Sequence, residues 1–353
     1  MVRGAVWFRS DLRTDDNPAL LDATNSCEEV IGIYIFSENQ WALHNESNIK
    51  HEFLLNNLNK LEKSLKKFNI SLIAINAESF KSLHIDLSSL VTQHSIDHVF
   101  WNKEFGVNEV ARDKMVSESL KKISVSSSSY HDQVIYEPGF LKTGQGKPFS
   151  VFTPYKRRWV ENFSMDFLDL KKPKAVQKFT AIKSSLNSLK FKKTHSANID
   201  LWPAGEEAAQ QCLTSFLKNK SKDYSQSRNI PMVDGTSRIS PYLALGVISP
   251  KRCILESLKL NNFEFNSGNK GLCKWIDEIV WREFYRNIMH SFPRVSMGKP
   301  FQNYTNSIQW RHSESELEAF YQGNTGFPII DAGIRQMLAE GWMHNRLRMI
   351  VAM

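Results

Sequence analysis

Between Gly4 and about Ser128, short apolar runs alternate with segments of helical periodicity. The runs are AVWF at 5–8, VIGIYIF at 30–36, ISLIAIN at 70–76 and HVFW at 98–101. Between them the spacing predicts helices over 17–23, with Asn17 as N-cap and Pro18 in the first turn, and over 46–68, 79–93 and 107–122. Strands apolar throughout, separated by helices, are buried on both faces, which predicts a doubly wound parallel sheet and an α/β domain over 1–130. From Trp202 onward the strand signal fades. Ser240-Pro241 and Ser249-Pro250 have the form of helix starts, so 201–353 is expected to be all-helical. The stretch 131–200, with scattered turns and Lys171, Lys172, Lys174, Lys192 and Lys193, is expected to cross the surface as an inter-domain connection. At the end of the chain Ile350-Val351-Ala352-Met353 offers no capping residue, so the last helix is expected to be cut within an element.

Composition narrows the partners. With 353 residues, 41% of them hydrophobic, the chain can bury a sizeable core in two domains. A net charge of +8 favours a polyanionic partner, because clustered cations gain affinity for phosphate by releasing counterions. The four cysteines form no CxxC pair and the start reads as a strand, so reduced thiols and a soluble cytoplasmic protein without a membrane span are expected. No HExxH or comparable spacing predicts a metal. Gly144-Gln145-Gly146-Lys147 lacks the spacing of a P-loop.

Three segments carry candidate chemistry. In WIDEIVWREFYRNIMH (275–290), Ile276, Val280 and Phe284 form one stripe, while Trp275, Glu278, Trp281, Arg282 and Tyr285 lie opposite. That second face is either a Glu278–Arg282 ion pair with aromatics packed beside it, or a pocket for a flat polar ligand with Trp281 as stacking platform. Gly235 to Pro241 places hydroxyls and Arg238 before a helix, which suits either a phosphate or simple N-capping by Ser240. Asn345, Arg348 and Met349 share a third helical face.

Read together, these segments resemble the photolyase and cryptochrome flavoprotein family. Residues 6–13 (VWFRSDLR) with Asp16-Asn17 and Ala19-Leu20, Val107-Asn108-Glu109 with Ala111-Arg112-Asp113, VFTPY at 151–155, GTSRIS, WIDEIVWREFYR, TGFPIIDAGIRQM and GWMHNRLRM follow in the family's order across the chain. The resemblance implies an α/β antenna domain joined to a helical domain holding FAD. By motif position, Tyr224, Thr236, Ser237, Arg238, Ile239, Ser240 and Trp275 would contact FAD, and Arg348 would organise its flavin side. Glu278, Trp281, Asn345 and Met349 would line a pocket for a flipped-out pyrimidine dimer, with Arg228, Arg282 and Arg346 near DNA. Asn108 and Glu109 would hold a folate antenna, 5,10-methenyltetrahydrofolate, although Met297 stands where a lysine is common.

Asn345 and Arg346 occupy the place where the branch acting on (6-4) photoproducts carries a histidine pair, so the resemblance is to class I enzymes that split cyclobutane dimers. The implied mechanism is light-driven electron transfer: excited, reduced FAD donates an electron to the dimer, the ring opens and the electron returns. Monomeric action on DNA containing pyrimidine dimers is the expected mode. Family residues beyond the match to Met353 complete the flavin surroundings and the two inner tryptophans of the electron relay; the outermost corresponds to Trp310. A non-catalytic remnant or a cryptochrome-like blue-light flavoprotein is therefore the alternative reading.

Overall fold

The computed structural model describes residues 2–182, 186 and 197–353, so Lys192 and Lys193 lie outside the described residues. Five strands, β1 Arg3–Phe8, β2 Glu29–Phe36, β3 Ser71–Asn76, β4 His98–Asn102 and β5 Ser126–Tyr130, form one parallel sheet in the order β3-β2-β1-β4-β5. Its helices are α1 Pro18–Ser26, α2 Glu38–Leu43, α3 Asn48–Lys66, α4 Leu83–Gln93 and α5 Val107–Lys122. Side chains alternate across the sheet: Ala5, Trp7, Ile31, Ile33, Val99 and Trp101 pack with α4 and α5 residues, and Val6, Phe8, Val30, Tyr34, Phe36 and Phe100 with α1 and α3. Asn17 caps α1 as expected, its side chain accepting from the Leu20 N–H at 3.1 Å.

The fifth strand is a structural addition to the four apolar runs. Its sequence, SSSSY, carries no apolar signal, because it is a half-exposed edge held by the backbone ladder to β4 and by a Ser128 hydroxyl 2.8 Å from His98 Nε2.

After the sheet come α6 Phe152–Glu161, α7 Glu206–Asn219, α8 Tyr224–Ser227, α9 Ser240–Ala244, α10 Pro250–Leu260, α11 Lys270–Ser291, α12 Pro293–Ser296, α13 Glu314–Gln322, α14 Pro328–Glu340 and α15 Asn345–Val351. No strand occurs among the described residues beyond Tyr130, and no described helix is long and apolar enough to cross a membrane. Ser249 caps α10 through the Arg252 N–H at 3.1 Å. Ser240 does not cap α9. It is the first helical residue, with Ile239 in the cap position, because Arg238 at φ +51° turns the chain before it. Ser237 Oγ instead accepts from the Ile239 N–H at 3.4 Å.

The expected surface connection over 131–200 also needs correction. Lys171, Lys172 and Lys174 are exposed, but Val134, Ile135, Tyr136, Leu141, Tyr155, Trp159 and Leu168 are core residues. The reason lies on α11. Glu283, 3% exposed, accepts from the N–H groups of Ile135 (2.6 Å) and Tyr136 (3.1 Å), the Trp159 indole (2.8 Å) and the Tyr155 hydroxyl (3.3 Å), tying the segment to the helical half.

The α/β and helical parts meet in one continuous apolar cluster, with Phe53 of α3 edge-on to Tyr242 of α9 at 5.5 Å. Polar ties reinforce it. Leu12 N–H donates to Leu245 O at 3.0 Å, and the buried Arg13 guanidinium reaches both Asp132 and the Gly246 carbonyl, each at 3.0 Å. Asp15 joins through its N–H to Glu206 (3.1 Å) and its carboxylate to Arg252 (3.1 Å).

Candidate functional site

A cavity of about 660 Å³ opens where these parts converge. It is walled by the start of α3, the loop 236–241, α9, α11 and the segment 341–348. Its volume lies in the range of small-molecule and cofactor sites.

α11 supplies the wall's main side chains. Its start passes so close to the segment before α8 that a Cβ on Gly271 would sit 2.1 Å from the Ser221 carbonyl oxygen. Glycine is therefore required there, and the approach sets Trp275 beside Phe216, ring centroids 5.2 Å apart, and Tyr224 in the cavity. One turn on, Glu278 pairs with Arg228, and the Lys274 ammonium lies 3.8 Å from the same carboxylate oxygen. The Glu278–Arg282 pair allowed by the sequence does not form. Arg282 donates instead to the backbone carbonyls of Gln133 and Leu243, the latter at 3.2 Å. It forms no ion pair among the described residues; burial and then the neighbouring Arg286 push its guanidinium down to about 10, against a smaller opposing pull from Glu283 and Asp132.

The hydroxyl loop closes another side. Thr236, Ser237 and Ser240 line the cavity, and Arg238 bonds Glu340 at 3.1 Å while its guanidinium lies 4.8 Å over the Trp342 ring. At the mouth Asn345 and Arg348 project from α15, with Arg348 Nε donating to Met343 O at 3.1 Å.

The cavity thus gathers Tyr224, Arg228, Thr236, Ser237, Arg238, Ile239, Ser240, Trp275, Glu278, Arg282, Asn345 and Arg348 from the candidate residues. The others lie elsewhere. Trp281 is half-buried outside the lining, its ring stacked on Phe152 at 3.7 Å and beside Tyr285 at 5.6 Å. Met349 is exposed near the mouth, where its sulfur lies 3.4 Å from Arg346 Nη1, and Arg346 in turn bonds Asn229 at 2.6 Å. Trp310 stands in solvent, 74% exposed. Asn108 and Glu109 sit in the first turn of α5, where Asn108 contacts His44 at 3.3 Å and the Val107 N–H donates to Ser296 Oγ at 3.2 Å.

Sequence reasoning missed Lys50 and Phe53 on α3, and Trp202 and Trp342. The α3 residues give no local sign, since they read as ordinary positions of a sheet-covering helix. Trp342 could have been found, because it falls inside the GWMHNRLRM block.

The lining is rich in cations, with Glu46 pairing Lys50 and Glu340 pairing Arg238 from behind it. Lys50, Arg228, Arg238, Arg282 and Arg348 line the cavity, and Glu278 is the only carboxylate among the lining residues. A low-dielectric cleft with that imbalance attracts an anion, and Trp202, Tyr224, Trp275 and Trp342 offer flat apolar surface beside it.

The similarities of the chain point the same way. The family model for DNA photolyase matches residues 5–177, and that for the FAD binding domain of DNA photolyase matches residues 275–353. The deoxyribodipyrimidine photo-lyase of Escherichia coli strain K12 is 35% identical over 353 residues, covering 100% of this chain and 74% of that protein. Its counterpart in Vibrio cholerae is 32% identical, covering 98% of this chain and 74% of its own length. Among solved structures, a class III photolyase from Agrobacterium tumefaciens superposes with a TM-score of 0.89 at 30% identity, over 100% of this chain and 72% of that one. A Synechocystis cryptochrome shares the fold, with a TM-score of 0.81 at 21% identity over 100% of this chain and 74% of that one.

Proposed function

The chain belongs to the DNA photolyase family, and on that premise we propose that it splits cyclobutane pyrimidine dimers in DNA with light absorbed by FAD held in the cationic cavity. The observation that carries this reading is the lining itself: five cations, one carboxylate and five aromatic rings around one cleft. The residues fit the cofactor. Thr236, Ser237, Ser240 and Arg238 offer hydroxyls and a guanidinium to a pyrophosphate, and Trp275 and Trp342 offer flat surface to a ring system. When bound, FAD supplies light absorption and a reversible one-electron transfer.

The protein's own contribution is binding and charge placement. Both ion pairs of Glu278 use one carboxylate oxygen, which leaves the other to accept from an imide N–H of a flipped pyrimidine. Arg282, which donates to backbone carbonyls and forms no ion pair among the described residues, stabilises negative charge arriving on the dimer. Asn345, and Met349 at the mouth, meet the substrate; Arg346 takes the DNA backbone there, and Arg348 the flavin side. Because Phe152 covers one face of Trp281, the base-stacking role proposed for Trp281 falls to its remaining edge and face. Asn345 and Arg346, in the places of the (6-4) branch's histidine pair, favour the class I, dimer-splitting branch. A flipped dimer costs less to unstack than an intact pair, which supports selectivity for damage.

A folate antenna is proposed at Asn108 and Glu109. Burial raises the Glu109 carboxyl, with Glu104 adding to it, and the exposed Met297 near Ser296 brings no cation. Trp310, in solvent, is suited to the outer end of an electron relay. We take the working state to be a cytoplasmic monomer on DNA. A cryptochrome-like sensor or a non-catalytic remnant is not favoured, since the relatives named above at 30% identity or more are photolyases.

The test is direct. Purified protein loaded with FAD should remove thymine dimers from an oligonucleotide under blue light and not in the dark. Flavin binding without light-dependent repair would turn the reading to a sensor, and absence of flavin binding would end both. Two variants separate the roles. Glu278→Gln should slow repair about tenfold or more with the flavin spectrum intact, measured as initial rate per photon absorbed. Arg238→Ala should weaken FAD about tenfold, read by equilibrium dialysis, because a charge-assisted pair is lost. Unchanged values in either would remove that residue from its role.

A further inference from the structure

The segment 344–351 brings Asn345 and Arg348 to the cavity mouth, and one side chain holds its start. His344, 2% exposed, is the N-cap of α15, its Nδ1 accepting from the Arg346 N–H at 3.1 Å. Its own backbone N–H donates to Gln336 Oε1 on α14 at 3.1 Å, and its carbonyl accepts from the Arg348 N–H at 3.0 Å. An Nδ1 that accepts must be unprotonated, which puts the ring proton on Nε2. That nitrogen is buried with no hydrogen-bond partner among the described residues, so the ring is held by the cap bond and by packing edge-on to Trp342 at 6.2 Å.

The charged groups facing this imidazole are all cations: Arg346 on its own helix, Arg228 beside α8 and Arg238 before α9. The carboxylates nearby, Glu278 and Glu340, are already engaged by Arg228 and Arg238. Burial first, and then these guanidiniums, hold His344 below the ordinary imidazole range.

We propose that neutral His344 is the positioning residue of the cavity mouth: by accepting the Arg346 amide it fixes the first turn of α15 and so sets Asn345 against a bound pyrimidine dimer and Arg348 toward the flavin. The inference rests on the reading of the cavity as the dimer site. A second proton on the ring removes the only acceptor of that N–H and adds a cation beside three others. The first turn of α15 then opens. Because the folded pKa is depressed, this contribution is fully present above the ordinary imidazole range and is lost as pH falls through the depressed value.

The experiment compares the FAD-loaded chain with His344→Asn, an N-cap acceptor that does not titrate near neutrality, and His344→Leu, which offers no acceptor. Amide exchange across 345–351 is followed from about pH 8 to about pH 5, and dark binding of a dimer-containing oligonucleotide is measured at the same points, with the flavin spectrum confirming loading. Wild type should lose exchange protection and dimer affinity together on the acid side. His344→Leu should bind about five- to tenfold more weakly at every pH, and His344→Asn should stay within about threefold of wild type with no acid loss. Exchange in 345–351 that ignores both pH and the Leu substitution overturns the proposal, as does an acid loss that persists in His344→Asn. Should wild type bind no dimer at neutral pH, the reading of the cavity fails, while the exchange measurement still decides what His344 controls.

Discussion

Glu283→Ala is expected to lower the stability of the fold by about 3 kcal/mol or more, because it leaves buried donors without an acceptor. Two backbone N–H groups, an indole N–H and the Tyr155 phenol converge on that carboxylate within 3.3 Å, and none has another acceptor within the described bonds. Glutamine should recover part of the loss. Its carbonyl can serve the donors at Oε1, but its NH₂ would then face the Ile135 N–H, which approaches Oε2 at 2.6 Å. The midpoint of urea unfolding should therefore fall in the order wild type, Gln, Ala, with the slope unchanged. Equal midpoints for wild type and Ala would mean that water replaces the carboxylate. The effect reaches the cavity, since Glu283 is on the helix that carries Trp275, Glu278 and Arg282.

Gly246→Ala should cost about 3 kcal/mol by a different route. Gly246 has φ +62°, where an L side chain is strained, and a Cβ there would lie 2.0 Å from the Ser10 carbonyl oxygen and 2.6 Å from the Asp11 Cα. Backbone lies on the far side of that contact, so no side-chain rotation relieves it. The substitution pushes the turn after β1 away from α9, breaking the contact that Arg13 makes with Gly246 O. A thermal melt tests it: a Tm within a degree or so of wild type would show that the junction yields freely.

The sheet was legible because its strands are apolar on both faces, and α1 because Asn17 and Pro18 mark its start. β5 was not, since an edge strand needs no apolar signature and its serines satisfy the ladder as well as valines would. The cavity was legible where its residues cluster in sequence, as in 236–240 and 275–282. It was hidden where a wall comes from far away. Nothing local to Lys50 or Phe53 says that α3, before it runs beneath the sheet, starts in the wall of a cleft shared with residues about two hundred positions later. Ion-pair choice was equally out of reach: the i, i+4 rule offered Glu278 to Arg282, and the fold gave it to Arg228, fifty positions away in the chain.

That helix has an evolutionary corollary. α3 is about 28 Å long, with one end under the sheet and the other in the cavity wall, so the two halves of the protein are not exchangeable modules. A recombination event that grafted a foreign α/β half onto this helical half would succeed only if it carried its own cation and aromatic ring to the places of Lys50 and Phe53. Crossover between them is therefore filtered by the shared cavity as well as by the shared core.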